Sequence, residues 1–121
     1  MWVIRTDEGA PVAFCFRMLP GNVKTIGRAP RADFIVEATL VSRLHCRLTA
    51  GAAELEVVDL DSTNGTYING QRVARSSLRN GDRLSVGEVE FVVSIVRQEI
   101  RSSGEKETGD QEITRSGDQV N

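Results

Sequence analysis

Three short stretches hold the residues of this chain best suited to chemistry: Gly27-Arg28, Ser42-Arg43-Leu44-His45 and Ser62-Thr63-Asn64-Gly65. Together they offer guanidinium groups, hydroxyls, an amide and backbone N–H groups, which are the parts of an anion site. An arginine forks two N–H bonds onto a phosphate or carboxylate, where a lysine presents only a point charge. Such charge-assisted bonds are roughly twice as strong as neutral ones, and consecutive loop amides can form an anion-binding nest. Taken singly, each residue has a plainer use. Arg28 and Arg43 read as surface arginines, Ser42 as a turn cap, and Asn64 as a source of left-handed backbone. The joint occurrence argues for a phosphate site.

Two other chemistries fit less well. Ser42, His45 and Asp59 or Asp61 name the members of a catalytic triad, but Ser42 and His45 lie three apart on an irregular loop. No nucleophile elbow or oxyanion-hole motif accompanies them. One histidine, two cysteines and no C-x-x-C leave zinc without its usual ligands. No metal, cofactor or enzymatic activity is expected.

The elements that must position these loops are short strands. The stretch Asp59-Leu60-Asp61-Ser62-Thr63-Asn64-Gly65-Thr66-Tyr67-Ile68-Asn69-Gly70 ends one alternating run and starts another. Its Ser62 to Gly65 segment is rich in turn formers, and Asn69-Gly70 is the dipeptide favoured in two-residue hairpins. Alternation also marks strands at 2–6, 11–19, 23–26, 46–49, 54–59, 71–73, 84–86 and 89–96, with Phe34-Ile35-Val36 as a short buried strand. Leu78 leads into the turn Arg79-Asn80-Gly81-Asp82. No window carries a helical stripe. About ten to eleven short strands at 8–12-residue spacing predict an all-β, two-sheet antiparallel β-sandwich, with function in the loops at one end.

At 121 residues the chain suggests one domain. No apolar run approaches the roughly 20 residues of a membrane span, and the N-terminus reads as a strand, so the expectation is a cytoplasmic protein with no membrane partner. Cys15 and Cys46 both sit in alternating runs and are expected to be reduced core thiols. Residues 98–121 carry six acidic and three basic side chains, which leaves a near-neutral body of 12 basic and 11 acidic residues in 1–97. Arg5, Arg17, Arg47, Arg72 and Arg83 fall in different strands and turns of that body without interleaved aromatics, which speaks against nucleic acid. Beyond Gln98 only Ile100, Ile113 and Val120 are apolar. So polar a segment does not offset an ordering entropy of about 1–2 kcal/mol per residue, and 98–121 is expected to be a disordered acidic tail after a domain over 1–97.

The motifs in order, from Gly27-Arg28 through Ser42-Arg43-Leu44-His45 and Asp59 to Gly70, and on to Leu78-Arg79-Asn80-Gly81-Asp82-Arg83-Leu84, resemble those of a forkhead-associated (FHA) domain. The resemblance covers about residues 2–97. It implies a β-sandwich of about eleven strands that binds phosphothreonine peptides, one of the phospho-recognition modes built on arginine clusters. Carried over residue by residue, it implies that Arg28, Ser42 and Thr63 contact the phosphate. Arg43 would help hold the phosphate or nearby backbone, and Asn64 the peptide backbone. Gly27, His45, Gly65, Asn69 and Gly70 would shape the site. The implied partner is a phosphothreonine-containing substrate of a Ser/Thr kinase. A regulatory extension has Thr108 or Thr114 phosphorylated and docking on the chain's own site. A domain of this fold that binds partners without phosphate is the alternative.

Overall fold

A computed structural model describes residues 1–96 of the chain. The acidic tail and both Thr108 and Thr114 lie outside the described residues. The described residues form eleven strands: β1 (Trp2–Thr6), β2 (Cys15–Met18), β3 (Val23–Gly27), β4 (Phe34–Ile35), β5 (Cys46–Ala50) and β6 (Leu55–Asp59) come first. β7 (Thr66–Ile68), β8 (Gln71–Val73), β9 (Arg75–Leu78), β10 (Arg83–Val86) and β11 (Val89–Ile95) complete the set. They form a six-stranded sheet in the order β2-β1-β11-β10-β7-β8 and a five-stranded sheet in the order β4-β3-β5-β6-β9. This is the two-sheet, all-β architecture that the alternation and turn spacing predict.

The core follows from period-two alternation. Trp2, Ile4, Leu84, Val86, Phe91 and Val93 of the larger sheet face Ile26, Leu48, Leu55, Val57 and Leu78 of the smaller one, all buried. Burying each such side chain stabilises the fold by about 1.5–3 kcal/mol. Trp2 ties the layers further, since its Nε1–H donates to the Gly51 carbonyl at 2.8 Å.

Four local expectations are corrected. The strand expected over 11–19 shrinks to Cys15–Met18. Thr6 still donates its amide to the Phe14 carbonyl at 3.0 Å, but the Phe14 amide donates to the Thr6 hydroxyl at 3.0 Å instead of the Thr6 carbonyl, so that pair is only half made. Cys15 is exposed on the edge strand and only Cys46 is a core thiol; both are free. Burial pushes the Cys46 thiol up to about 12. Phe34-Ile35-Val36 is not a buried strand: β4 has two residues, Ile35 is 40% exposed, and only Val36 behind it is buried. β4 pairs parallel to β3, the one departure from an antiparallel pattern among the described residues. Finally, Arg75–Leu78 is a strand that alternation does not reveal. Its single apolar residue, Leu78, pairs with Leu55, and Arg75 holds Glu56 at 3.0 Å.

One consequence of this topology matters for function. The β3–β4, β4–β5 and β6–β7 loops leave the smaller sheet at one end. Val86 pairs with Thr66, which brings the β10–β11 turn to that same end.

Candidate functional site

The site begins with two backbones pressed together. The Arg28 amide donates to the Ser42 carbonyl at 2.9 Å, Ala29 to Arg43 at 3.1 Å, and His45 to Ile26 at 2.8 Å. The start of the β3–β4 loop is thereby zipped to the end of the β4–β5 loop. Gly27 makes this possible, because a Cβ there would lie 2.0 Å from the Arg43 carbonyl oxygen.

Arg28 and Ser42 consequently stand side by side. Arg28 Nε donates to the Val41 carbonyl at 3.0 Å, which fixes the plane of the guanidinium. Its two terminal amino groups have no partner among the described residues. The Ser42 hydroxyl oxygen accepts from the Thr63 amide at 3.1 Å and keeps its own proton available to donate. That bond draws the β6–β7 loop against the β4–β5 loop. Asn64 adds a second tie, its Nδ2 donating to the Leu40 carbonyl at 3.0 Å.

His45 is the buried bolt beneath these loops. Its Nδ1 accepts from the Ser42 amide at 3.1 Å, so the ring proton resides on Nε2, which donates to the Gly65 carbonyl at 2.7 Å. Both ring nitrogens are therefore spent on backbone. Neither reaches the Ser42 hydroxyl or Asp59, and the triad geometry is not formed.

The β6–β7 loop has a frame of its own. Asp59 Oδ1 accepts from the Ser62 hydroxyl at 2.5 Å and the Thr66 hydroxyl at 2.7 Å, while Oδ2 accepts from the Ser62 amide at 3.1 Å. The Ser62 hydroxyl oxygen in turn accepts from the Gly65 amide at 3.0 Å. Burial pushes the Asp59 carboxyl up, but the hydrogen bonds from Ser62 and Thr66 outweigh it and hold the group below its ordinary value. Gly65 closes the loop at φ +90.

Two adjoining clefts result. A narrow one of about 170 Å³ is bounded by Arg28, Thr39, Leu40, Ser42, Thr63 and Asn64. A wider one of about 500 Å³ lies between Arg28, Arg31, Ser42, Arg43, Asp61 and Thr63. Arg28, Ser42 and Thr63 wall both. A hollow of about 420 Å³ beside Gly51 to Glu54 holds none of these groups.

The structure thus brings Gly27, Arg28, Ser42, Arg43, His45, Thr63, Asn64 and Gly65 together. It does not bring Asn69 and Gly70 there. They form the β7–β8 turn at the other end of β7, with φ of 50 and 85. Asn69 Oδ1 accepts from the Arg83 amide at 2.9 Å and its Nδ2 donates to Asp82 at 3.2 Å. Sequence reasoning assigned no role to Arg31 and did not join Asp59, Ser62 and Thr66 into one frame. The Asp-x-x-Ser spacing of the frame is the signal that would have found it.

A β-sandwich that gathers guanidinium, hydroxyl and amide groups from three loops at one end has the form of a loop-end recognition module. The family model of the FHA domain matches residues 24–87, and the chain belongs to that family. It is 37% identical over 90 residues to an oxoglutarate dehydrogenase inhibitor of Corynebacterium efficiens, an alignment covering 74% of this chain and 61% of that protein. It is 38% identical over 75 residues to the glycogen accumulation regulator GarA of Mycolicibacterium smegmatis, covering 62% and 48%. The chain therefore spans about half to three-fifths of these relatives' length. Among solved structures, an FHA domain from a study of phosphothreonine-dependent FHA interactions superposes with a TM-score of 0.68 at 30% identity, covering 80% of this chain and 98% of that one.

Proposed function

We propose that this chain is a non-enzymatic adaptor that binds phosphothreonine-containing proteins, the products of a Ser/Thr kinase, through the two clefts at its loop end. The observation that carries this reading is the state of Arg28 and Ser42. Among the described residues, Arg28 is oriented through Nε yet keeps both terminal amino groups uncommitted, and the Ser42 hydroxyl proton has no acceptor beside it. A phosphothreonine carries about −1.5 to −2 charge and three strong acceptor oxygens, which match those donors. Thr63 adds a hydroxyl, Arg43 a second guanidinium on the wider side, and Asn64 an amide for the peptide backbone. A neutral body with scattered arginines does not favour nucleic acid. Among the described residues no helix is long and apolar enough to cross a membrane, and the cytoplasm, where kinases find ATP, is the compartment we assign. Thr108 and Thr114 are phosphoacceptors proposed for the same site.

Calorimetric titration of the full chain with phosphothreonine, phosphoserine and unphosphorylated peptide pools tests the reading. Binding of the phosphothreonine pool alone is the expected result. Hydrogen bonds to charged groups contribute about 1.5–3 kcal/mol, so Arg28→Ala lowers affinity roughly ten- to a hundredfold while the chain stays folded, its thermal midpoint lowered only by loss of the Arg28 donor to the Val41 carbonyl. Unchanged affinity in Arg28→Ala would move the site elsewhere. A folded chain that binds none of the pools, with residues 98–121 removed as well, would favour a phosphate-independent scaffold.

A further inference from the structure

The loop end holds a third hollow. A groove of about 320 Å³ runs between the β1–β2 loop, the β4–β5 loop and the β10–β11 turn. It shares Thr39 and Leu40 with the narrow cleft, which shares Arg28, Ser42 and Thr63 with the wide one. Groove, narrow cleft and wide cleft therefore form a continuous row.

The two ends of the row have opposite character. At one end, the wide cleft holds Arg31 and Arg43 besides Arg28, against the single acid Asp61. Arg31 and Arg43 form no salt bridge among the described residues, whereas Arg75, Arg79 and Arg83 are each paired with a carboxylate. At the other end, the groove has an apolar floor of Val12, Phe14, Ala38 and Leu40, with Val12 59% exposed. Glu37, Glu88 and Glu90 rim it. Glu90 lies 3.4 Å from Arg83, but Glu37 and Glu88 have no cationic partner among the described residues. The backbone supports this groove closely: Gly87 sits so near Leu40 that a Cβ would lie 2.8 Å from the Leu40 carbonyl.

We propose that the wide cleft and the groove flank the phosphothreonine as two subsites of opposite charge. The preferred ligand is acidic on one side of the phosphothreonine and carries an aliphatic residue next to a lysine or arginine on the other. An acidic flank meets Arg31 and Arg43, where a bidentate carboxylate pair is available to each guanidinium. The aliphatic side chain covers Val12 and Leu40, and the adjacent cation lies against Glu37 and Glu88. A ligand of the reverse polarity sets like charges against each other at both ends, so the site discriminates by repulsion as well as attraction. This assignment deepens the phosphothreonine reading and rests on it.

The test is titration of the full chain with four phosphothreonine peptides and their unphosphorylated forms. One peptide has Glu-Glu before and Val-Lys after the phosphothreonine; the second has these flanks exchanged; the third has acidic residues on both sides; the fourth has alanine on both. One of the first two should bind roughly tenfold more tightly than its exchanged counterpart and than the alanine peptide, since three exposed ion pairs and one apolar contact add modestly. Arg31→Glu alone and Glu88→Lys alone should each shrink that preference, and Arg31→Glu combined with Glu37→Lys and Glu88→Lys should reverse it. A reversal is not produced by damage to the fold. Equal binding of the two exchanged peptides, with phosphate still required, overturns the charge assignment and leaves the phosphothreonine reading standing. Peptides that bind no better than their unphosphorylated forms overturn that reading, and this inference with it.

Discussion

Two Asn-Gly pairs sit five residues apart, Asn64-Gly65 and Asn69-Gly70, and the molecule uses them in opposite ways. Asn69 has positive φ and turns its side chain back onto its own sheet, where it holds Asp82 and Arg83. Asn64 is not left-handed. Its side chain reaches to Leu40 in another loop, at the mouth of the narrow cleft. The glycines differ too. A Cβ at Gly70 would meet nothing within 4 Å, whereas one at Gly65 would strike the Arg72 side chain. One pair closes a hairpin; the other closes a site. The lesson is that turn chemistry names a bend but not its purpose. The purpose is set by which distant backbone lies within reach of the side chain.

If the loop end is held together by backbone contact, the sharpest way to break it is to force those backbones apart. Gly27→Ala places a Cβ against the Arg43 carbonyl, with no rotamer able to relieve the overlap. The expected loss is about 3 kcal/mol or more, read by urea denaturation. Gly70→Ala is the control on the hairpin side. With open space and only the left-handed backbone to strain, it costs about 1–2 kcal/mol. Equal losses would mean that the close approach at Gly27 does not hold the loops.

His45→Ala follows. It removes one acceptor and one donor and leaves the Ser42 amide and the Gly65 carbonyl without partners, at about 1–3 kcal/mol for each unsatisfied group. Both groups belong to loops that wall the clefts, so phosphopeptide affinity and stability should fall together. A variant that loses stability but binds normally would show that the loops hold their places without the ring.

The two asparagines give a smaller but cleaner contrast. Asn69→Ala should cost about 1–2 kcal/mol of stability, through the Arg83 amide and the turn, with no change in affinity. Asn64→Ala should cost under about 1 kcal/mol of stability, because it makes one exposed bond with no left-handed backbone to strain where Asn69 makes two at positive φ, yet reduce affinity severalfold. Matched denaturation and titration of both variants would expose any overlap of roles.

Much of this is legible in the amino-acid sequence. Alternation located the core strands because burial on one face leaves a period of two, as in Leu55 and Val57 against Glu54 and Glu56. Edge strands were harder. Arg75–Leu78 carries one apolar residue and is a strand only because β6 pairs with it, and β4 is too short to have a period. Cys15 looked like a core residue because its neighbours are apolar, yet it lies at the sheet edge. The three site loops were recognisable as a set, but their meeting was not. Arg28 and Ser42 are joined by backbone bonds between loops that no local pattern relates. Arg31 was invisible for the same reason: nothing near it in sequence says that the β3–β4 loop turns it toward Arg43.

The smallest expected effect tests the frame under Asn64. The folded chain holds the Asp59 carboxyl below its usual value, through bonds from Ser62 and Thr66 that outweigh burial. Its stabilising contribution is therefore whole above the unfolded value of about 3.9 and is lost as pH falls through the lower folded value. Asp59→Asn keeps the shape but not the charge; it should lower stability slightly near neutrality, where the native contribution is whole, and flatten the acid side of the profile so that the two chains converge as pH falls. The hairpin offers the counterpart. Asp82 accepts from the Arg79 amide at 2.8 Å but sits away from the clefts. Acid should therefore weaken phosphopeptide affinity through Asp59, which frames a loop of the site, whereas Asp82 holds only the turn. Comparing Asp59→Asn with Asp82→Asn across pH 3 to 7, by denaturation and titration side by side, separates a frame that serves the site from one that serves only a turn. Identical profiles would mean that the β6–β7 loop keeps its form without the Asp59 charge.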